Sequence, residues 1–231
     1  MLTYDDGIDG NLDIVVPALD SSGFKGTFYV IGAAPVITKR MEEWRKAAAN
    51  GHELGNHTMF HPCNGGPGRG FITDETDLRK YTVDRAAKEI RMTNTLLTAI
   101  DGKKVRTFAY PCGDLRIGDA LYYKPLVNDF AAARGVTGAM NFIDNINMED
   151  INSYAIINHS GKYMTDLVDE AIKSGSLLVF LFHGVGGGHS LNVELKAHRE
   201  LLAHLKKREK DVWVATMLDV AEFIQRNRSA K

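Results

Sequence analysis

Leu177-Leu178-Val179-Phe180-Leu181-Phe182, followed at once by His183-Gly184, is the longest apolar run in the sequence. A run with no polar alternation fits a strand covered on both faces, as in the middle of a parallel sheet. It is far shorter than the roughly eighteen or more apolar residues expected of a membrane-spanning helix. Outward from it, short β-like runs alternate with amphipathic stretches. Strands are predicted over residues 27–31, 53–56, 105–110, 154–157, 177–182 and 212–216. Helices are predicted over 12–22, 34–50, 78–100, 121–134, 163–174, 190–207 and 217–227. This alternation implies an α/β fold, a parallel sheet with helices outside. A chain of 231 residues fits one α/β barrel, and the whole of 1–231 is read as a single domain. The last helix is the clearest, with Leu218, Ala221, Phe223 and Ile224 able to share a face. Gly51 and Gly135 read as the residues that end two of the helices.

Composition excludes several functions. The apolar fraction is 44%, the charged fraction 25% and the net charge −1, so nothing points to nucleic acid or to a membrane surface. The basic cluster Lys206, Lys207, Arg208 and Lys210 reads as a solvated helix end. Cys63 and Cys112 are too few for a disulfide scaffold and do not fix the compartment, but both flank motifs and could lie near each other. No internal repeat or signal peptide is visible. A candidate motif already begins at residue 3, so an N-terminal leader and part of a first strand are expected to have been lost. Residues 62–76 hold Gly65, Gly66, Gly68, Gly70 and two prolines, and read as a loop: a substrate lid or rim, or a floppy insertion.

Three polar motifs stand at the C-terminal ends of candidate strands, where active sites of parallel α/β folds collect. In Thr3-Tyr4-Asp5-Asp6-Gly7, two adjacent carboxylates are hard to bury charged without a partner. A metal ion would supply one; a turn or a helix cap is the plainer alternative. In His57-Thr58-Met59-Phe60-His61, two imidazoles four apart can converge on one ion if the backbone turns. Zinc favours such ligands, at roughly 2.0–2.1 Å. No Glu follows His57, so this is not the helical zinc-protease motif, and two surface histidines in a loop would look the same. His183, closing the apolar run, is a candidate acid or base, or else a satisfied core histidine. Between them, Phe108-Ala109-Tyr110-Pro111-Cys112-Gly113 ends in a turn that can aim a backbone N–H into the site. Of the other histidines, His198 and His204 read as helix surface residues, and His189, after Gly186-Gly187-Gly188, as a residue of the site rim.

The order and spacing of these motifs resemble the polysaccharide deacetylases with a NodB-homology domain, carbohydrate esterase family 4, from Thr3 to about Arg228. Residues 3–7 look like the family's Thr-Phe-Asp-Asp-Gly motif. His57-Thr58-x-x-His61 is similar to its His-Ser/Thr-x-x-His motif. Residues 108–113 resemble its third motif, and Leu181-x-His183 its fifth. The resemblance implies a distorted (β/α) barrel, often of seven strands. It implies one divalent metal ion, Zn²⁺ before others, held by Asp6, His57 and His61. Asp5 would be the general base and His183 the general acid. The metal and the backbone N–H of Cys112 would stabilise the oxyanion. Substrate contacts would come from Leu181, helping to form a pocket for the acetyl methyl, and Tyr110, while Thr58 would bond to the loop that carries the ligands. The partner implied is an acetylated carbohydrate, either an N-acetyl amino sugar or O-acetyl xylan. Family members commonly act outside the cytoplasm.

The sequence departs from the family pattern twice. The Arg that orients the catalytic Asp is replaced by Ala109, and Arg106 would face the other side of its strand. No Asp-and-Trp pair supports His183; Asp144 and Asp150 are the nearest candidates. Weak support for a leaving-group acid leans toward an ester. Two other classes compete: a metal-dependent C–N hydrolase of a small cyclic amide, and a non-catalytic carbohydrate-binding protein on the same fold.

Overall fold

The computed structural model describes residues 1–228. Seven strands form one sheet: β1 (Leu2–Tyr4), β2 (Thr27–Val30), β3 (Glu53–Asn56), β4 (Phe108–Ala109), β5 (Ala133–Arg134), β6 (Tyr154–Ala155) and β7 (Phe180–Phe182). Their order is β5-β4-β3-β2-β1-β7-β6, and every pair is parallel. The sheet curls, and Ile151 bridges in parallel fashion to Arg134 just before the chain enters β6. The result is a distorted, seven-stranded (β/α) barrel. Its helices are α1 (Val16–Ser22), α2 (Pro35–Lys39), α3 (Met41–Ala49), α4 (Val83–Asp101), α5 (Gly161–Ser174), α6 (Leu195–Lys207) and α7 (Met217–Arg228).

Strand alternation sorts the side chains. On the outer face, Tyr4 stacks between Phe28 and Phe182 with ring centroids 5.2 Å apart in each pair. His198 of α6 closes this layer, its Nε2 2.8 Å from the Tyr4 hydroxyl; it is fully buried, not a surface residue. On the inner face, Glu53 forms a polar floor. Its carboxylate accepts from Thr27 Oγ1 at 2.9 Å, from the Thr107 N–H and hydroxyl at 2.9 and 2.6 Å, and from the Leu218 N–H at 2.9 Å. The start of α7 is thereby pinned beneath the barrel.

Several expected elements differ. Residues 121–134 are not a helix. They hold a short 3₁₀ turn, Lys124–Leu126, and then β5. Pro125 interrupts the stretch, and residues 130–134 are all buried, so there is no polar face for a surface helix. Gly135 accordingly ends no helix; it follows β5, where an added Cβ would lie 1.8 Å from Asp150 Oδ1. Residues 212–216 form no strand and pair with none of the seven. The helix expected over 34–50 breaks at Arg40 (φ −128°). The one expected over 190–207 starts at Leu195, after a two-residue ribbon partner at Asn192–Val193.

Candidate active site

Asp5, Asp6, His57, Cys112 and His183 all leave the C-terminal ends of strands and meet over the barrel mouth. The Asp5 N–H extends the ladder to Phe182 O at 2.8 Å. Asp6 and Gly7 then turn through positive φ, +72° and +64°. Glycine is required at position 7, where a Cβ would stand 2.8 Å from Val30 Cγ1. The loop after β3 that carries His57 and His61 is held equally tightly. Asn56 donates to Ile90 O and Asn94 Oδ1 of α4 and accepts from the Thr58 N–H at 2.8 Å. Thr58 Oγ1 accepts from the His61 N–H at 2.9 Å. Of the five non-glycine residues with positive φ among the described residues, four are Asp6, Thr58, His61 and Cys112, all at this mouth.

The three expected metal ligands converge: Asp6 Oδ1 lies 3.6 Å from His57 Nε2 and 3.6 Å from His61 Nε2. His57 Nδ1 donates to Ala109 O at 2.8 Å, so its Nε2 presents a lone pair to the centre. Burial lowers the His57 pKa to about 3, which keeps the ring neutral, as a ligand must be. Burial also lowers His61 and raises Asp6. Asp6 Oδ1 is buried with no hydrogen-bond partner. An orphaned carboxylate oxygen facing two imidazole nitrogens is a donor set that fits a divalent cation.

Asp5 is treated differently. Arg134 Nη2 reaches both carboxylate oxygens at 2.5 Å, and its guanidinium lies 5.0 Å from the Tyr29 ring centroid. Burial alone would raise the Asp5 pKa; the charge and hydrogen bonds of Arg134, before all other neighbours, outweigh it and hold the carboxyl below its ordinary value. Sequence reasoning missed Arg134, although the position is simply related to the motif: Arg134 of β5 is the register partner of Ala109 in β4. The guanidinium thus arrives one strand over from the residue that lacks it. Arg106 is bound instead to Leu54 O and Asp101, on the face away from the mouth.

His183 lies beside these groups, and burial lowers its pKa against the pull of Asp5 and Asp6. Its Nδ1 is buried without a partner. Asp150 packs on Gly135, and Asp144 sits in the turn Ile143–Asn145, whose Ile143 carbonyl accepts from Arg228. His189, read as a rim residue, lies further in: its ring stacks on His183 at 4.9 Å, and its Nε2 is 3.3 Å from Asp6 Oδ2. Leu181 is buried on the inner face of β7. Tyr110 is buried on the outer face among Phe108, Tyr122 and Tyr123, and its hydroxyl donates to Glu149 O at 2.8 Å.

Cys63 and Cys112 are joined by a disulfide, Cα–Cα 5.9 Å. The bond ties the segment after His61 to the Pro111–Gly113 turn. Arg69 reinforces it, bonding Asp114 Oδ2 at 2.5 Å and Asn64 O at 3.1 Å. The Gly-rich segment is therefore anchored at Cys63 and Arg69. No helix among the described residues is long and apolar enough to cross a membrane.

Comparisons with known proteins agree with this architecture. Peptidoglycan deacetylase PdaC from Bacillus subtilis superposes with a TM-score of 0.58 at 18% identity, covering 99% of this chain and 92% of that one. Bacillus subtilis PdaA, a family 4 carbohydrate esterase, gives 0.59 at 19% identity, with 97% and 80% covered. A putative polysaccharide deacetylase from Mycobacterium smegmatis gives 0.63 at 15% identity, with 98% and 90% covered. In sequence, a gellan lyase from a Bacillus species is 32% identical over 155 residues, which are 67% of this chain but 5% of the lyase. The uncharacterised Bacillus subtilis (strain 168) protein YlxY is 27% identical over 138 residues, 60% of this chain and 36% of that protein. The chain thus spans well under half the length of these two relatives. The family profile described as Polysaccharide deacetylase matches residues 1–126. On that match, and on the barrel and motifs that carry it, the chain belongs to the polysaccharide deacetylase family.

Proposed function

We propose that the chain is a metal-dependent hydrolase that removes acetyl groups from a polysaccharide or oligosaccharide by activating water. The observation that carries this is the contrast within one carboxylate pair: Asp6 Oδ1 is buried and unpartnered between two imidazoles, while Asp5 is clamped by Arg134. Asp6, His57 and His61 would hold the ion, with zinc the best match to a donor set of two imidazoles and one carboxylate. A divalent cation bound there would supply Lewis acidity, acidifying water and polarising an acyl oxygen. Asp5, kept ionised by Arg134, takes the proton of the attacking water. Its fixed position removes the need to reorient during reaction. His183 gives a proton to the departing amine or alcohol. The turn at Pro111–Gly113 uses the N–H groups of Gly113 and Asp114 for its own bonds, and the Cys112 N–H is the donor assigned to the oxyanion. Leu181 lines the place of the acetyl methyl, and Tyr110 supports the turn from behind.

Several structurally similar proteins are named as peptidoglycan deacetylases, which favours an N-acetylated amino sugar. The partnerless Nδ1 of His183 favours the easier leaving group of an ester. Acetate release from acetylated xylan and from N-acetylglucosamine oligomers, each with chelator and with added zinc, separates the two. Metal-dependent release from either substrate is expected. Bound metal without release would move the assignment to a small-molecule amide hydrolase, and neither metal nor release would favour a carbohydrate-binding protein. The site is then expected in an extracellular or cell-wall setting, where acetylated glycans occur.

A further inference from the structure

His189 has no role in the scheme above, yet the loop around it is built to bring it inward. The Gly184 N–H donates to Leu191 O at 3.0 Å, the Gly186 N–H to Val193 O at 2.8 Å, and the Gly187 N–H to Asn192 Oδ1 at 2.8 Å. The fold-back needs glycine at position 184, where a Cβ would stand 2.7 Å from Gly187 O and 3.1 Å from His189 Cβ. Two contacts then fix the ring. The Leu191 N–H donates to His189 Nδ1 at 3.0 Å, and His189 Nε2 lies 3.3 Å from Asp6 Oδ2. A backbone N–H can only donate, so Nδ1 carries the lone pair and the neutral ring carries its proton on Nε2. That nitrogen is the one 3.3 Å from the second oxygen of Asp6. The same ring lies nearly parallel to His183, at an interplanar angle of 12°.

We propose that His189 is a positioning residue of the metal site: it donates Nε2–H to Asp6 Oδ2, so that Oδ1 is the oxygen turned toward His57 and His61. With Nδ1 occupied and Nε2 protonated, it is a hydrogen-bond partner of a ligand and not itself a ligand. Its stacked ring also backs His183, whose Nδ1 has no hydrogen-bond partner among the described residues. This role rests on the metal site proposed above. Outer partners of metal ligands are typically worth about 10–100-fold in metal affinity.

Zinc dissociation constants measured by competition with a chromophoric chelator at neutral pH test it, on the full chain and on His189→Ala, His189→Gln and His61→Ala. The unsubstituted chain is expected to bind one zinc and His61→Ala to lose the tight site. His189→Ala should keep one zinc per chain with Kd raised about 10–100-fold. His189→Gln, whose amide N–H can stand where Nε2–H stood, should recover most of that loss, which a merely structural effect on the loop would not. An unchanged Kd in His189→Ala overturns the role while leaving the metal site intact. Loss of zinc stoichiometry in His189→Ala without recovery in His189→Gln overturns it in favour of direct ligation. Absence of zinc from the unsubstituted chain removes the metal site, and this role with it.

Discussion

Asp5 and Asp6 are neighbours in sequence with opposite surroundings, and the difference lies in what each faces. Asp5 meets a guanidinium and stays ionised; Asp6 meets imidazoles and keeps one oxygen without a donor. Asp5→Asn should therefore leave metal stoichiometry unchanged and remove most turnover; full activity in this variant would exclude Asp5 as the base. Arg134→Met leaves a buried carboxylate unpaired, a change that typically costs about 3–5 kcal/mol. Denaturant unfolding should register that loss. With Arg134 gone, burial raises the Asp5 pKa, so the acid limb of kcat/KM should move to higher pH; an unmoved limb would break the link between the two residues. That Asp6, His57 and His61 come together beside His183 was legible in the sequence because their motifs are local: adjacent carboxylates, imidazoles four apart, a histidine ending an apolar run. Arg134 was not, because it reaches Asp5 across the barrel mouth from a strand four places away in the sheet and 129 residues later in sequence. His189 was placed near the site by its glycines, but its contact with Asp6 depends on how the loop folds back.

At the level of elements, the informative error is the stretch from 121 to 134. Its apolar residues permit a helix in a linear reading, but Tyr122, Tyr123 and Phe130 are spoken for by Phe108, and the alanines after them enter the sheet. A two-residue strand flanked by small side chains gives almost no periodic signal. The helices with strong amphipathic faces, α5 and α6 above all, were legible over most of their length. Cys63 and Cys112 show a second limit: their neighbouring motifs put them close, but only the fold joins them. The disulfide spans 49 residues, and loop-closure entropy for such a span is worth about 4 kcal/mol. It also connects the segment carrying His61 to the turn carrying the Cys112 N–H. Reduction by a dithiol, or Cys63→Ser with Cys112→Ser, should lower the melting temperature and also reduce turnover at temperatures where the barrel is still folded. Stability loss with undiminished turnover would mean that the tether serves the fold alone.

Across the whole molecule, the barrel buries ionisable groups at both ends, and they set its response to acid. His57 and His198 are buried and neutral, with pKa values lowered from 6.5 to about 3 and about 4. In the unfolded chain they regain their ordinary value. Between the two values the unfolded state binds the extra protons, so stability falls as pH is lowered from about 6.5 toward 4. The slope is at most about 1.4 kcal/mol per pH unit for each such histidine. Urea unfolding of the metal-free protein across this range should show the decline, and His198→Gln should flatten it; a pH-independent midpoint would contradict the buried neutral state. The left-handed residues Asp6, Thr58, His61 and Cys112 add a different asymmetry, since each such conformation costs an L-residue roughly 1–2 kcal/mol. A selection for heat resistance alone would find relief at these positions first, most easily by glycine. Each gain would be drawn from the backbone that aims the proposed ligands and oxyanion donor, so in this barrel thermostability and turnover would trade against each other at the mouth, while the Glu53 floor could be reinforced without that conflict.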